Sequence, residues 1–313
     1  MSRIHEALKR AEEERALSQG GQASSLAPAV AAEPPVVVPV AVEETPSLSA
    51  AAPFSAGMPS FTSPFSVDAL LARSPQLDWQ PDENTMLFFN GNESARGTEE
   101  FRTLRSRLYH TRESATLKKI LVTSALPKEG KSFTSANLAQ VLVRQHGRRV
   151  LLIDADLRAP RLHLMLGTTS APGLSDYLQG TIDEFSITQR GPMENLFFIP
   201  SGNQISDPAE LVANGKLKTL LQRLEPLFDW IVIDSPPAVP VSDASVLAKA
   251  CDGVVMVVRS NATPIDMARR AREEFPDQLL VGVVLNGTDR ETTPYSRYYY
   301  DAYVRNVTTE AKS

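Results

Sequence analysis

The sequence predicts an α/β fold in which a mainly parallel sheet is flanked by helices on both faces, preceded by a disordered N-terminal extension. Three observations predict it. From Gly97 onward, short apolar runs alternate with segments of helical period, the order that parallel strands joined by crossover helices require. One of these runs, Ile120 to Val122, leads through a short loop directly into a helical segment. Two later runs end in aspartate, at the strand edge where an open parallel sheet opens its ligand crevice.

The elements follow in chain order. In the first 18 residues Ile4, Ala7, Leu8 and Ala11 share a helical face, which predicts a short amphipathic helix. It is either a frayed, solvated helix or a docking peptide for a partner. This segment mixes acids and bases and lacks the apolar stretch of a signal peptide, so a cytoplasmic chain is expected. Residues 19–93 are predicted to be a linker. From Gln19 to Asp82, Ala, Pro, Ser and Val dominate, with ten prolines and no sustained period. Its most apolar part, Leu26 to Val42, is broken by Glu33 and four prolines and does not read as a membrane span.

Residues 94–290 form the predicted globular domain. Strands are expected at Lys119 to Thr123, Arg149 to Asp154, Leu196 to Pro200, Trp230 to Asp234, Gly253 to Arg259 and Leu280 to Asn286. Helices are expected at Thr98 to His110, Lys131 to Gln145, Leu174 to Gln179, Pro208 to Leu224, Asp243 to Ala250 and Ile265 to Glu274. Residues 291–313 form a tail in which Tyr295, Tyr298, Tyr299, Tyr300 and Tyr303 crowd together, five of the seven tyrosines in the chain. No apolar alternation there suggests a core strand.

The segment Ile120 to Ser132 reads as a strand, a phosphate-binding loop and a helix start, and predicts a P-loop nucleotide site. Ala125 stands where the pattern G-x-x-x-x-G-K-[ST] has its first glycine, so the residue there is still small. Backbone amides of Lys128, Glu129, Gly130, Lys131, Ser132 and Phe133 would meet phosphates at a helix N-terminus, where the helix dipole favours negative charge. Lys131 would reach the terminal phosphates of ATP, and the Ser132 hydroxyl would ligate Mg²⁺.

Two acidic segments complete the expected site. Arg149 to Pro160 is an apolar strand ending in Asp154 and Asp156, which strand alternation turns toward one face. Phe228 to Pro237 carries Asp234 at the tip of a second apolar strand, a Walker B pattern that holds Mg²⁺ directly or through water. Two prolines after Asp234 end the strand. Arg158 either binds phosphate or stabilises the acidic loop. Asn286 either pairs with a purine through its amide or simply forms an Asn-Gly turn.

Composition excludes several classes. Cys251 is the single cysteine, so no internal disulfide forms, and four scattered histidines assemble no His/Cys metal site. A net charge of -5 argues against general nucleic-acid binding.

Taken together, Ser124 to Ser132, Leu152 to Pro160 and Ile231 to Pro237 resemble the deviant-Walker ATPases, which include MinD/ParA-type positioning proteins and the bacterial tyrosine kinases. Leu126 occupies the position of the signature lysine of MinD/ParA proteins. Asp154-Ala-Asp-Leu-Arg158 with Pro160, Gly173 to Leu178, Pro200 to Gly202 and Asp207 to Leu211 are similar instead to the tyrosine autokinases of capsule and exopolysaccharide synthesis. The resemblance runs from about Ser94 to the C-terminus.

That resemblance implies ATP-dependent autophosphorylation of the tail tyrosines in trans, with Lys131, Asp154, Asp156 and Asp234 catalytic and Ser132, Asp156 and Asp234 holding Mg²⁺. Either Asp154 or Asp156 would orient or deprotonate the tyrosine hydroxyl. Glu99, Arg102 and Arg105 match an E-x-x-R-x-x-R helix used between subunits, so a homo-oligomer is implied. A separate membrane polysaccharide co-polymerase would act as activator and recruit the chain to the inner face of the membrane, and a protein-tyrosine phosphatase would reverse the modification. The rival readings are a MinD/ParA-like ATPase switch and a nucleotide-binding scaffold without kinase activity.

Overall fold

The computed structural model describes residues 66–89 and 97–288. The expected N-terminal helix, the greater part of the expected linker and the tyrosine tail lie outside the described residues.

The chain order is α1 (Val67–Arg73), α2 (Thr98–Ser114), β1 (Lys119–Ser124), α3 (Lys131–Val143), β2 (Val150–Asp154), α4 (Leu162–Leu166) and α5 (Leu174–Gln179). There follow β3 (Gln189–Arg190), β4 (Leu196–Ile199), α6 (Pro208–Ala213), α7 (Lys216–Leu224), β5 (Trp230–Asp234), α8 (Asp243–Ala248), β6 (Gly253–Arg259), α9 (Ile265–Glu273) and β7 (Leu280–Asn286). The strands form one sheet in the order β3-β4-β2-β5-β1-β6-β7. Every pairing is parallel except that of the short edge strand β3 with β4.

Strand alternation divides the core in two. Leu121, Leu151, Ile153, Ile231, Ile233 and Val254 face one apolar layer. Ile120, Val122, Val150, Leu152, Val232 and Val255 face the other. A sheet covered on both sides must be apolar on both sides, which is why its central strands read as continuous hydrophobic runs. The strand β1 lies between β5 and β6, so its loop opens beside the tip of β5.

Helix α3 is the most enclosed helix, with every residue but Phe133 buried. Its small residues Ser135, Ala136 and Ala139 let it lie close to β1, β2 and β5. Helix α7 shows the opposite pattern: Leu217, Leu220, Leu221 and Leu224 form one buried stripe and the rest faces solvent.

Three expectations change. Residues 66–89, assigned to the linker, are folded: Leu70, Trp79, Met86 and Phe88 are all buried, and Trp79 packs edge-on against Phe198 of β4. Asn137 of α3 fixes the end of this segment, accepting the Leu87 amide at 2.8 Å and donating to the Thr85 carbonyl at 2.8 Å. These apolar residues lack a period because each fills a separate gap on the domain. The single helix expected over Pro208 to Leu224 is broken at Gly215, whose φ of +81° ends α6 and starts α7. Helix α4 and strand β3 were not foreseen; both are too short to carry a periodic signal.

Candidate active site

The loop from Ala125 to Gly130 joins β1 to α3 and lies at the C-terminal edge of the sheet. Gly130 sits at φ +97° immediately before α3 and provides no capping side chain. A Cβ added there would fall 2.0 Å from the Asn286 amide nitrogen, so glycine is required for space as well as for backbone conformation. The first amides of α3 thus open onto the loop without a side-chain cap, the arrangement that suits phosphate oxygens.

Behind this opening the sheet brings the acids together. Lys131 Nζ donates to Asp156 Oδ2 at 2.6 Å and lies 3.8 Å from Asp234 Oδ2. The Ser132 hydroxyl donates to Asp234 Oδ2 at 2.6 Å, and Ser135, one turn further along α3, donates to Asp234 Oδ1 at 3.1 Å. Asp154 and Asp234 are fully buried and Asp156 nearly so. Burial, together with the neighbouring Asp234 carboxylate, pushes the Asp154 carboxyl up to about 8. Burial also raises Asp234, against the pull of Lys131. Burial acts to lower the Lys131 ammonium, but Asp234 and Asp156 outweigh it and hold the group above its usual range.

This charge balance fits a divalent cation. Three carboxyl groups crowd around one ammonium, and added positive charge would relieve the repulsion that raises Asp154 and Asp234. Mg²⁺ is usually held by one or two carboxylates together with waters and phosphate oxygens, and Asp156 and Asp234 lie beside the Ser132 hydroxyl to supply them.

The two aspartates of the Asp-Ala-Asp segment differ in position. The carboxylate of Asp154 accepts the amides of Asp156, Arg161 and Leu162 at 3.1–3.3 Å, and so folds the loop after β2. Asp156 sits in that loop and faces Lys131. Arg158 does not face the phosphate loop. Its guanidinium grips Asp243 of α8 through two bonds of 2.7 and 3.0 Å, which favours the loop-stabilising alternative.

Other expected residues are engaged within the fold. Asn286 donates to the Glu129 carbonyl at 2.9 Å and accepts the Gly287 amide at 2.9 Å, so it braces the phosphate loop while forming its own turn. Glu129 is buried, and its carboxylate accepts the Leu126 amide at 2.9 Å. Lys128 is exposed with φ +67°. The Phe133 ring packs toward Phe101 of α2, leaving only its backbone at the helix start. On α2, Glu99 pairs with Arg102, while Arg105 donates to the Val141 carbonyl of α3 at 3.1 Å. The tail tyrosines lie outside the described residues.

Sequence reasoning did not single out Ser135, Asp243 or Thr263. The spacing of Ser135 from Ser132, one helical turn, was the only available signal. Asp243 and Thr263 meet their partners 85 and 134 residues away in the chain, and no local pattern marks them.

Residues 118–266 match the family model of an AAA domain. The chain is 34% identical over 205 residues to the tyrosine-protein kinase YwqD of Bacillus subtilis, covering 65% of this chain and 85% of that protein. It is 31% identical over 223 residues to the tyrosine-protein kinase wzc of Salmonella typhimurium, covering 71% of this chain but only 31% of that longer protein. Among solved structures, the kinase domain of the Escherichia coli tyrosine kinase ETK superposes with a TM-score of 0.60 at 27% identity, covering 65% of this chain and 80% of that one.

Proposed function

The chain belongs to the bacterial tyrosine kinases, and from that premise we propose that its phosphate loop delivers the γ-phosphoryl group of ATP to Tyr295, Tyr298, Tyr299, Tyr300 and Tyr303 of a neighbouring copy. The observation that carries this reading is the position of Lys131, at the first turn of α3, between Asp156 and Asp234. Phosphoryl transfer depends mainly on positioning and charge neutralisation, and this cluster supplies both.

In the proposed step the phenolic oxygen attacks the γ-phosphorus, the bond to the β-γ bridging oxygen breaks, ADP leaves, and the phenolic proton passes to a carboxylate. Lys131 and the loop amides would hold the β- and γ-phosphates. Ser132, Asp156 and Asp234 would hold Mg²⁺, which when bound neutralises charge on the phosphates. Either Asp154 or Asp156 would take the phenolic proton, Asp154 being engaged by three loop amides and Asp156 by Lys131 and the Ala159 amide.

Phosphates added to adjacent tyrosines bring about -1.5 to -2 charges each, and their repulsion would loosen an oligomer built through Glu99, Arg102 and Arg105. The cycle would regulate polysaccharide chain length and export. Among the described residues no helix is long and apolar enough to cross a membrane. We infer that a separate membrane co-polymerase acts as activator and recruits the kinase to the inner face, with a protein-tyrosine phosphatase resetting the tail.

Intact mass after incubation with Mg-ATP and a candidate activator tests the reading. Stepwise phosphate additions confined to residues 291–313 are expected. Release of ADP without any gain in mass would show a nucleotide switch instead.

A further inference from the structure

The phosphate loop is held from outside by residues of the two strands beyond it. Lys128 adopts a left-handed backbone, which a lysine does not favour on its own. Arg259, at the end of β6, donates to the Lys128 carbonyl at 3.2 Å. The next carbonyl, that of Glu129, accepts the Asn286 amide from the end of β7. The Glu129 side chain turns back on the loop, accepting the Leu126 amide through one oxygen and the Thr263 hydroxyl through the other.

Thr263 lies in the loop between β6 and α9, and its hydroxyl oxygen also accepts the Arg259 amide at 3.0 Å. It therefore works in both directions, receiving from one strand end and donating to the buried carboxylate that closes the phosphate loop. None of these contacts reaches the cluster of Lys131, Asp156 and Asp234, so the clamp lies apart from the reacting groups.

We propose that Thr263, acting through Glu129 and together with Arg259, is a positioning residue that holds the phosphate loop ready for ATP before nucleotide arrives. The inference builds on the assignment of this loop as the ATP site but does not depend on tyrosine being the acceptor. A loop set in advance loses less conformational freedom on binding, so the clamp favours nucleotide affinity. Its contacts are the same before and during transfer, so its loss should raise KM and leave kcat nearly unchanged.

The test compares Thr263→Val, which keeps the shape and removes the hydroxyl, with Thr263→Ser, which keeps the hydroxyl. ADP affinity of the intact full chain, measured by titration calorimetry with Mg²⁺, is the primary readout because it is independent of kinase activity. Thr263→Val should weaken ADP binding by fivefold or more, Thr263→Ser should stay within twofold of the parent, and KM for ATP should follow while kcat holds within twofold. A smaller loss in Thr263→Val, failure of serine to restore binding, or an equal fall in kcat would overturn the inference. If Thr263→Val does not unfold cooperatively, Arg259→Gln takes its place: a threefold or greater loss of ADP affinity is expected, and a smaller one overturns the inference. Should ADP affinities follow this pattern while no tyrosine gains phosphate, the clamp stands and the kinase assignment of the tail fails.

Discussion

The Ser132 hydroxyl donates to Asp234 Oδ2 across 2.6 Å, joining the phosphate loop to the tip of a strand 102 residues later. The same carboxylate accepts Ser135 at 3.1 Å, so two serines one turn apart on α3 fix its orientation. Asp234→Asn keeps the shape but cannot supply a metal-binding carboxylate. Phosphate incorporation, followed by intact mass, should fall by at least a hundredfold, corresponding to about 2.7 kcal/mol of barrier.

Lys131 is the cation that faces Asp156 and Asp234 in this cluster. Lys131→Met should abolish phosphate additions. Lys131→Arg should not restore them, because a broad planar guanidinium does not reproduce a compact ammonium held 2.6 Å from Asp156. Retention of more than a tenth of the parent rate in Lys131→Arg would contradict this.

Replacing all five tail tyrosines with phenylalanine should remove phosphate incorporation and leave ADP affinity within twofold. The phosphate loop joins β1 to α3 and is braced from the ends of β6 and β7 by Arg259 and Asn286. Loss of nucleotide binding in this variant would make the tail part of the nucleotide site.

The segment from residue 66 to 89 belongs to the kinase fold. A chain beginning at Ser66 should melt as the parent does, while one beginning at Gly97 should melt at a distinctly lower temperature. Within the segment, Trp79→Ala should cost about 3–5 kcal/mol, since Trp79 is 2% exposed against Phe198. Asn137→Ala strands the Leu87 amide and the Thr85 carbonyl and should cost about 1–3 kcal/mol. Denaturant midpoints decide both.

At the opposite edge of the sheet, Asp229 accepts the Arg149 amide at 2.9 Å and pairs with Arg148 at 2.8 Å. Burial opposes its ionisation, yet the Arg149 amide and the Arg148 guanidinium hold the carboxyl below its ordinary 3.8. The folded state therefore binds this proton less readily than the unfolded chain. The resulting stability is present above about pH 4 and lost as pH falls through the folded value. Asp229→Asn should melt lower than the parent at pH 7, and the gap should narrow below pH 4.

Much of this arrangement was legible in the chain itself. Strands β5, β6 and β7 and helix α5 fall where hydrophobic runs and turn residues put them; for β5 and most of β6, burial on both faces of the parallel sheet leaves a continuous apolar signature. The loop ending in Gly130-Lys131-Ser132, the strand-end aspartates Asp154 and Asp234 and nearby Asp156 were readable because each follows an apolar run at a short local spacing. The linker boundary was not, since Trp79, Met86 and Phe88 find their partners far along the chain.

The sequence by itself determined the α/β order of elements, the phosphate loop and the identities of its lysine, serine and acids, because backbone period and loop spacing are local properties. Only the tertiary structure decided that Asp156 rather than Asp154 faces Lys131, that Arg158 holds Asp243, and that Asn286 and Thr263 brace the loop. Those assignments arise where strand ends meet at one edge of the sheet, and the partner of a side chain there is set by its neighbours in space.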